Sequence, residues 1–178
     1  VLGRDPLSHA THFDAMYHLN NVRGHSGGFT VDAIAALDVA LWDLAGQHFD
    51  APIHVLMGGP ARTRLPAYVS GLRQPTLDEQ CTAAKSLMDQ GFDAFKLFLG
   101  HGVEQDIETL TAIRDTVGPK ARLMCDLLWR YELGDALRVG RVLDSLGFRW
   151  LEAPVAPEDV DGHATLAHKL DTRIAVGE

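Results

Sequence analysis

Apolar residues recur along this chain with two different periods. Over residues 5–22, Leu7, Phe13, Met16, Tyr17 and Leu19 fall at mostly helical steps and predict a first helix. Arg23-Gly24-His25-Ser26-Gly27-Gly28 then interrupts the pattern with three glycines and reads as a flexible loop. Thr30 is placed to cap a second helix, with Asp32 in the first turn, where the helix dipole favours an anion. Val31, Ile34, Ala35, Asp38, Leu41, Trp42 and Ala45 follow at steps of three and four. That helix therefore buries a broad stripe, Trp42 included, up to about Gly46. Pro52 sits in the first turn of a short helix that Gly58-Gly59-Pro60 closes.

From Leu65 onward short β-type runs alternate with helical ones. Strands are expected over residues 67–70, 93–99, 122–126, 149–152 and 173–178. Helices are expected over 76–91, 103–117, 134–146 and 162–170. Thr76 and Glu79 form a capping box, and Gly91, Gly118-Pro119 and Gly147 are stop signals. Such alternation predicts βαβ units and a parallel sheet. The polar residues that close successive strands are Ser70, Lys96, Asp126, Glu152 and Glu178, at separations of 26, 30, 26 and 26. A steady period of this size suits a (β/α)8, TIM-like barrel. An open doubly wound sheet is the alternative, but no strand leads into the G-x-G-x-x-G turn of a dinucleotide site. The expected organisation is a helical portion over 1–64 and the first five strands of a barrel over 65–178. Five strands fall short of eight, so the chain is expected to be incomplete at both ends.

Composition narrows the partners. Twenty-four Asp and Glu against sixteen Lys and Arg give a formal net charge of −8, which disfavours nucleic acid. No apolar run approaches the roughly 20 residues of a membrane span, so no membrane partner is expected. Cys81 and Cys125 have no metal or redox spacing and read as reduced thiols of a cytoplasmic protein.

In a parallel barrel all strand ends open onto the ligand-binding face. Asp126, Glu152 and Glu178 would meet there at one level, and three unpaired carboxylates repel. A hard divalent cation neutralises them with oxygen ligands alone, and Mg²⁺ suits that role while keeping positions for water or a substrate carboxylate. The alternative for each residue alone is an ordinary strand-end acid paired with a nearby Lys or Arg.

Two segments of the helical part, Ala36-Leu37-Asp38-Val39-Ala40-Leu41-Trp42-Asp43-Leu44-Ala45-Gly46 and Pro52-Ile53-His54-Val55-Leu56-Met57-Gly58-Gly59, carry a resemblance. They resemble the capping-domain helices of the mandelate racemase and muconate lactonizing branch of the enolase superfamily. Gly91-Phe92-Asp93-Ala94-Phe95-Lys96-Leu97-Phe98 looks like that family's second barrel strand. Met124-Cys125-Asp126, Trp150-Leu151-Glu152-Ala153-Pro154 and Ala175-Val176-Gly177-Glu178 look like its third, fourth and fifth. The resemblance implies an α/β fold: a partial (β/α)8 (TIM-like) barrel preceded by the helical part of a capping domain. It implies that Asp126, Glu152 and Glu178 are the Mg²⁺ ligands, and that the reaction removes a proton next to a carboxylate through a metal-stabilised enediolate. In the full-length protein it implies a homo-oligomer.

Such a step needs positive charge where the second negative charge develops. Lys96, one strand before the first ligand, is the candidate catalytic cation; its alternative is a salt bridge to the ligand carboxylates. Two departures stand out. Members of the family often carry Lys-x-Lys on the second strand, whereas here the second position is Phe98, which takes no proton. The third strand lacks Asp-x-Asn, and Asp126 is followed by Leu127 and Leu128. Trp129, Arg130 and Tyr131 follow that strand end as candidate contacts to a polyhydroxy acid, and His25 is a candidate from the glycine-rich loop. His101, just past the second strand, is within reach of the same face, while His9 and His12 read as a solvated helix face. The combined reading is Mg²⁺-dependent dehydration of a small-molecule sugar acid, with the base a His beyond Glu178. An epimerase, a cycloisomerase or a non-catalytic fragment are the alternatives.

Overall fold

Residues 1–19, 28–60 and 62–177 are described by a computed structural model, and the chain divides into two units, Val1–Leu65 and Pro66–Glu178. The first unit is helical, with α1 (His9–His18), α2 (Phe29–Phe49) and α3 (Ile53–Leu56). Helix α1 is shorter than its apolar pattern suggests because residues 5–8 turn instead: Ser8 N donates to Asp5 O at 3.2 Å. His12 is the reason the turn holds. Its Nε2 lies 2.7 Å from the Asp5 carbonyl, and the residue is 1% exposed. His9 stacks on Trp42 with ring centroids 4.3 Å apart, and its Nε2 is 3.1 Å from Leu41 O. The expectation of a solvated histidine face is therefore overturned: both histidines anchor α1 through backbone carbonyls.

Helix α2 begins one residue before Thr30, so Thr30 does not cap it. Gly28, at φ +64°, takes the cap position, and its carbonyl accepts from Val31 N and Asp32 N. The helix runs through Gly46 to Phe49 and ends where Asp50 adopts a left-handed conformation. Of the expected stripe, Ile34, Leu41 and Ala45 are buried, Val31, Asp38 and Trp42 are half-buried and Ala35 is exposed, so the buried face is narrower than the period predicts.

In the second unit β1 (Val69–Ser70), β2 (Ala94–Phe98), β3 (Arg122–Asp126), β4 (Trp150–Glu152) and β5 (Arg173–Ala175) form one parallel sheet in the order β1-β2-β3-β4-β5. Helices α4 (Leu77–Asp89), α5 (Val103–Val117), α6 (Leu133–Leu146) and α7 (Val160–Lys169) make the crossovers. The strand order never reverses. Successive crossovers therefore wind onward in one direction, as in a barrel, whereas a doubly wound sheet reverses at a switch point. This is an α/β fold made of consecutive units of a (β/α)8 barrel.

Alternation along the strands sorts the side chains. Phe95, Leu97, Leu123, Cys125 and Leu151 join Ala84, Leu110, Ile113, Val139, Leu143 and Leu166 in the core. The intervening residues, among them Lys96, Phe98, Asp126 and Glu152, share the other face. The capping box on α4 is formed: Thr76 Oγ1 accepts from Glu79 N while Glu79 Oε2 accepts from Thr76 N. Strand β5 is shorter than expected, since Val176 and Gly177 leave the ladder. Among the described residues no helix is long and apolar enough to cross a membrane.

Candidate active site

Strand register places Phe98 beside Asp126 and Asp126 beside Glu152, at the C-terminal ends of β2, β3 and β4. Lys96 lies two residues before the end of β2, so its long side chain runs along the shared face toward both acids. Its Nζ donates to Glu152 Oε1 at 2.8 Å and to Asp126 Oδ2 at 3.3 Å. Lys96 is 8% exposed and Asp126 2%. Burial favours the neutral amine, but the hydrogen bonds and charges of Glu152 and then Asp126 outweigh it and hold Lys96 above the ordinary lysine value. The remaining carboxylate oxygens also have donors. Asp126 Oδ1 accepts from Leu128 N at 3.0 Å, and Glu152 Oε2 accepts from Trp150 Nε1 at 3.2 Å.

The backbone just after these acids is strained. Leu128 and Trp129 have φ of +54° and +55°, and Ala153, after Glu152, has φ of +44°. Left-handed geometry at non-glycine residues costs free energy and clusters where the surroundings over-determine it. Here extra ladder bonds do so: Leu127 N to Glu152 O, Trp129 N to Ala153 O and Ala153 N to Ala175 O. The turn at Leu128 brings its amide under Asp126 and so aims that carboxylate.

A cavity of about 720 Å³ opens beside this group, with Lys96, Asp126, Phe98, Leu128, His101, Gln105, Arg73 and Gln74 in its wall. His101 thus reaches it, as its position after β2 suggests. The three residues expected to follow β3 into the site separate. Tyr131 is committed elsewhere: its hydroxyl donates to Asp106 at 2.6 Å and accepts from Gly102 N at 3.0 Å. Burial and the Asp106 carboxylate push that hydroxyl well above the ordinary tyrosine value, so it stays a donor. Arg130 is exposed, with its stem against Gly100, where a Cβ would fall 2.7 Å from Arg130 Cδ. Trp129 lines a separate cavity of about 310 Å³ with Pro157, Val160, His163 and Val176. His25 and Glu178 lie outside the described residues. Arg73, Gln74 and Gln105 had no motif to announce them; only Gly71, just past β1, hinted at a close approach there.

Among the described residues no group of three His, Cys, Asp or Glu side chains is placed to hold a metal ion. The donor chemistry nevertheless suits one. Asp126 and Glu152 present hard anionic oxygens that already share one cation, the Lys96 ammonium, at 3.3 and 2.8 Å.

Residues 79–178 match the family described as enolase C-terminal domain-like, and residues 2–58 match the mandelate racemase / muconate lactonizing enzyme N-terminal domain. The chain is 31% identical to D-galactarolactone cycloisomerase of Agrobacterium fabrum, over 100% of this chain and 48% of that protein. It is 32% identical to L-talarate/galactarate dehydratase of Salmonella typhimurium, over 100% and 45%. A mandelate racemase/muconate lactonizing protein from Paracoccus denitrificans, crystallised in complex with magnesium, superposes with a TM-score of 0.86 at 35% identity, covering 99% of this chain and 50% of that one. The chain spans about half the length of these proteins. With the C-terminal match alone covering more than half of its residues and the strand-end acids in register, the chain belongs to the mandelate racemase and muconate lactonizing branch of the enolase superfamily.

Proposed function

We propose that this chain carries part of the active site of a Mg²⁺-dependent enzyme that removes the proton α to the carboxylate of a sugar acid, leading to dehydration. The observation that carries the reading is the buried Lys96–Asp126–Glu152 cluster at the ends of three adjacent parallel strands. Asp126 and Glu152, with Glu178, would hold the metal. Bound there, Mg²⁺ supplies positive charge to the substrate carboxylate as the proton leaves. Lys96 adds a second cation at the same place, and its neighbours keep it protonated. Phe98 occupies the next position on that face and takes no proton, so β2 contributes charge and no base. One-sided proton chemistry of this kind fits loss of water better than inversion of a centre. Arg130 and Trp129, at the same end of the sheet, remain candidate substrate contacts; the Tyr131 hydroxyl is already engaged.

Incubating the intact protein with a panel of sugar acids in D2O, with Mg²⁺ or with chelator, tests this. The expected result is a 2-keto acid product that disappears on chelation. Deuterium in recovered substrate without loss of water would select an epimerase or cycloisomerase instead. Turnover undiminished by chelator would overturn the metal assignment.

A further inference from the structure

Arg73 has no place in the chemistry described so far. It follows β1, lines the same cavity as Lys96 and Asp126, and has no ion pair among the described residues. Its guanidinium lies 4.9 Å from the centroid of the Phe98 ring, and Lys96 Nζ lies 5.2 Å from the same centroid. Both cations therefore lie near one ring and stand no farther apart than those two distances combined.

The approach of Arg73 to the ring is built in. Gly71, at φ +85°, approaches Phe98 so closely that a Cβ would fall 2.7 Å from Phe98 Cε2 and 3.2 Å from Arg73 Nε. No other residue fits there without displacing the ring. The cations also differ in commitment. Lys96 is already shared by two carboxylates, whereas the Arg73 fork is open to a carboxylate in bidentate geometry. Beside Arg73, the buried Oε1 of Gln74 has no donor among the described residues and can accept from a hydroxyl.

We infer that Arg73 anchors a second acidic group, so that the substrate is a sugar acid with a carboxylate at each end. The inference rests on the preceding reading in one respect: the first carboxylate is held at Lys96 and at the Mg²⁺ that the strand-end acids would bind. A six-carbon chain spans about 6 Å from end to end at about 1.5 Å per bond, which lies within the upper limit that those two distances set on the separation of the cations. Phe98, in place of a basic residue, is then the platform that orients Arg73.

The test sets galactarate, glucarate and mannarate against galactonate, gluconate and mannonate. Binding is measured by calorimetry and kcat/KM by turnover, for the intact protein and its Arg73→Ala and Arg73→Lys variants. Arg73 is exposed, so its loss leaves the fold in place. The wild type should prefer an aldarate, and Arg73→Ala should cut the aldarate-to-aldonate ratio on the order of tenfold to a hundredfold, as loss of a charge-assisted pair does. Arg73→Lys should recover part of it. Arg73-dependent aldarate binding without turnover would sink the proposed chemistry and leave this subsite standing. An unchanged ratio, a preference for aldonates, or no aldarate binding would overturn the subsite.

Discussion

Asp106 offers the sharpest test of what holds the loops around the cavity. It lies in the first turn of α5, is 0% exposed, and accepts three hydrogen bonds. Gly100 N donates to its Oδ2 at 2.7 Å, Tyr131 Oη to the same oxygen at 2.6 Å, and His101 N to Oδ1 at 3.2 Å. One carboxylate thus ties the loop after β2 to the loop after β3. Asp106→Ala leaves two backbone amides and a hydroxyl without their acceptor. Each hydrogen bond to a charged group is worth about 1.5–3 kcal/mol, and partial rehydration of the loop donors recovers some of it. The expected loss is about 3–5 kcal/mol. Tyr131→Phe removes one donor and the acceptor for Gly102 N, at a cost of about 1–2 kcal/mol. Both act through one network, so the double variant should lose about 1–2 kcal/mol less than the two single losses combined. Urea unfolding with a shared m-value measures all three. A loss under about 1 kcal/mol for Asp106→Ala, or strict additivity, would show that the network does not organise these loops.

Lys96→Met leaves Asp126 and Glu152 facing each other without their cation and should cost about 3–5 kcal/mol in metal-free buffer. If those acids are metal ligands, Mg²⁺ at about a hundred times its Kd should return close to 2.7 kcal/mol; a urea midpoint indifferent to Mg²⁺ would refute that assignment. Burial, together with the charges of Asp106, Asp126 and Glu152, pushes the Cys125 thiol well above its ordinary value, while Cys81 is only partly buried. A thiol-titrating disulfide reagent at mildly alkaline pH should therefore modify Cys81 in the native protein and Cys125 only after denaturation, and equal rates at both would contradict the packing.

Much of the fold was legible because its signals are local. The Thr76–Glu79 box, the stop at Gly147 and the strand within residues 93–99 need only a few neighbours to act, and each appears as expected. Thr30 misled because a glycine two residues earlier can start the helix through its carbonyl alone. His9 and His12 misled because their partners, Leu41 O and Asp5 O, are backbone atoms that sequence patterning does not display.

The sequence by itself determined the parallel units, their period and the level at which Asp126 and Glu152 end their strands; Lys96, expected to close β2, lies two residues short of its end, beside Met124. These follow from repeat length and pleat parity, which are properties of the chain read along its own axis. Tertiary structure alone decided where the loop residues went. Trp129, Arg130 and Tyr131 are adjacent in sequence, yet left-handed turns and bonds to Ala153 and Asp106 send them to different places. It also brought Arg73 and Lys96 to one ring, that of Phe98. These loop residues take their direction from partners 24 or more residues away, and no local pattern records such a partner.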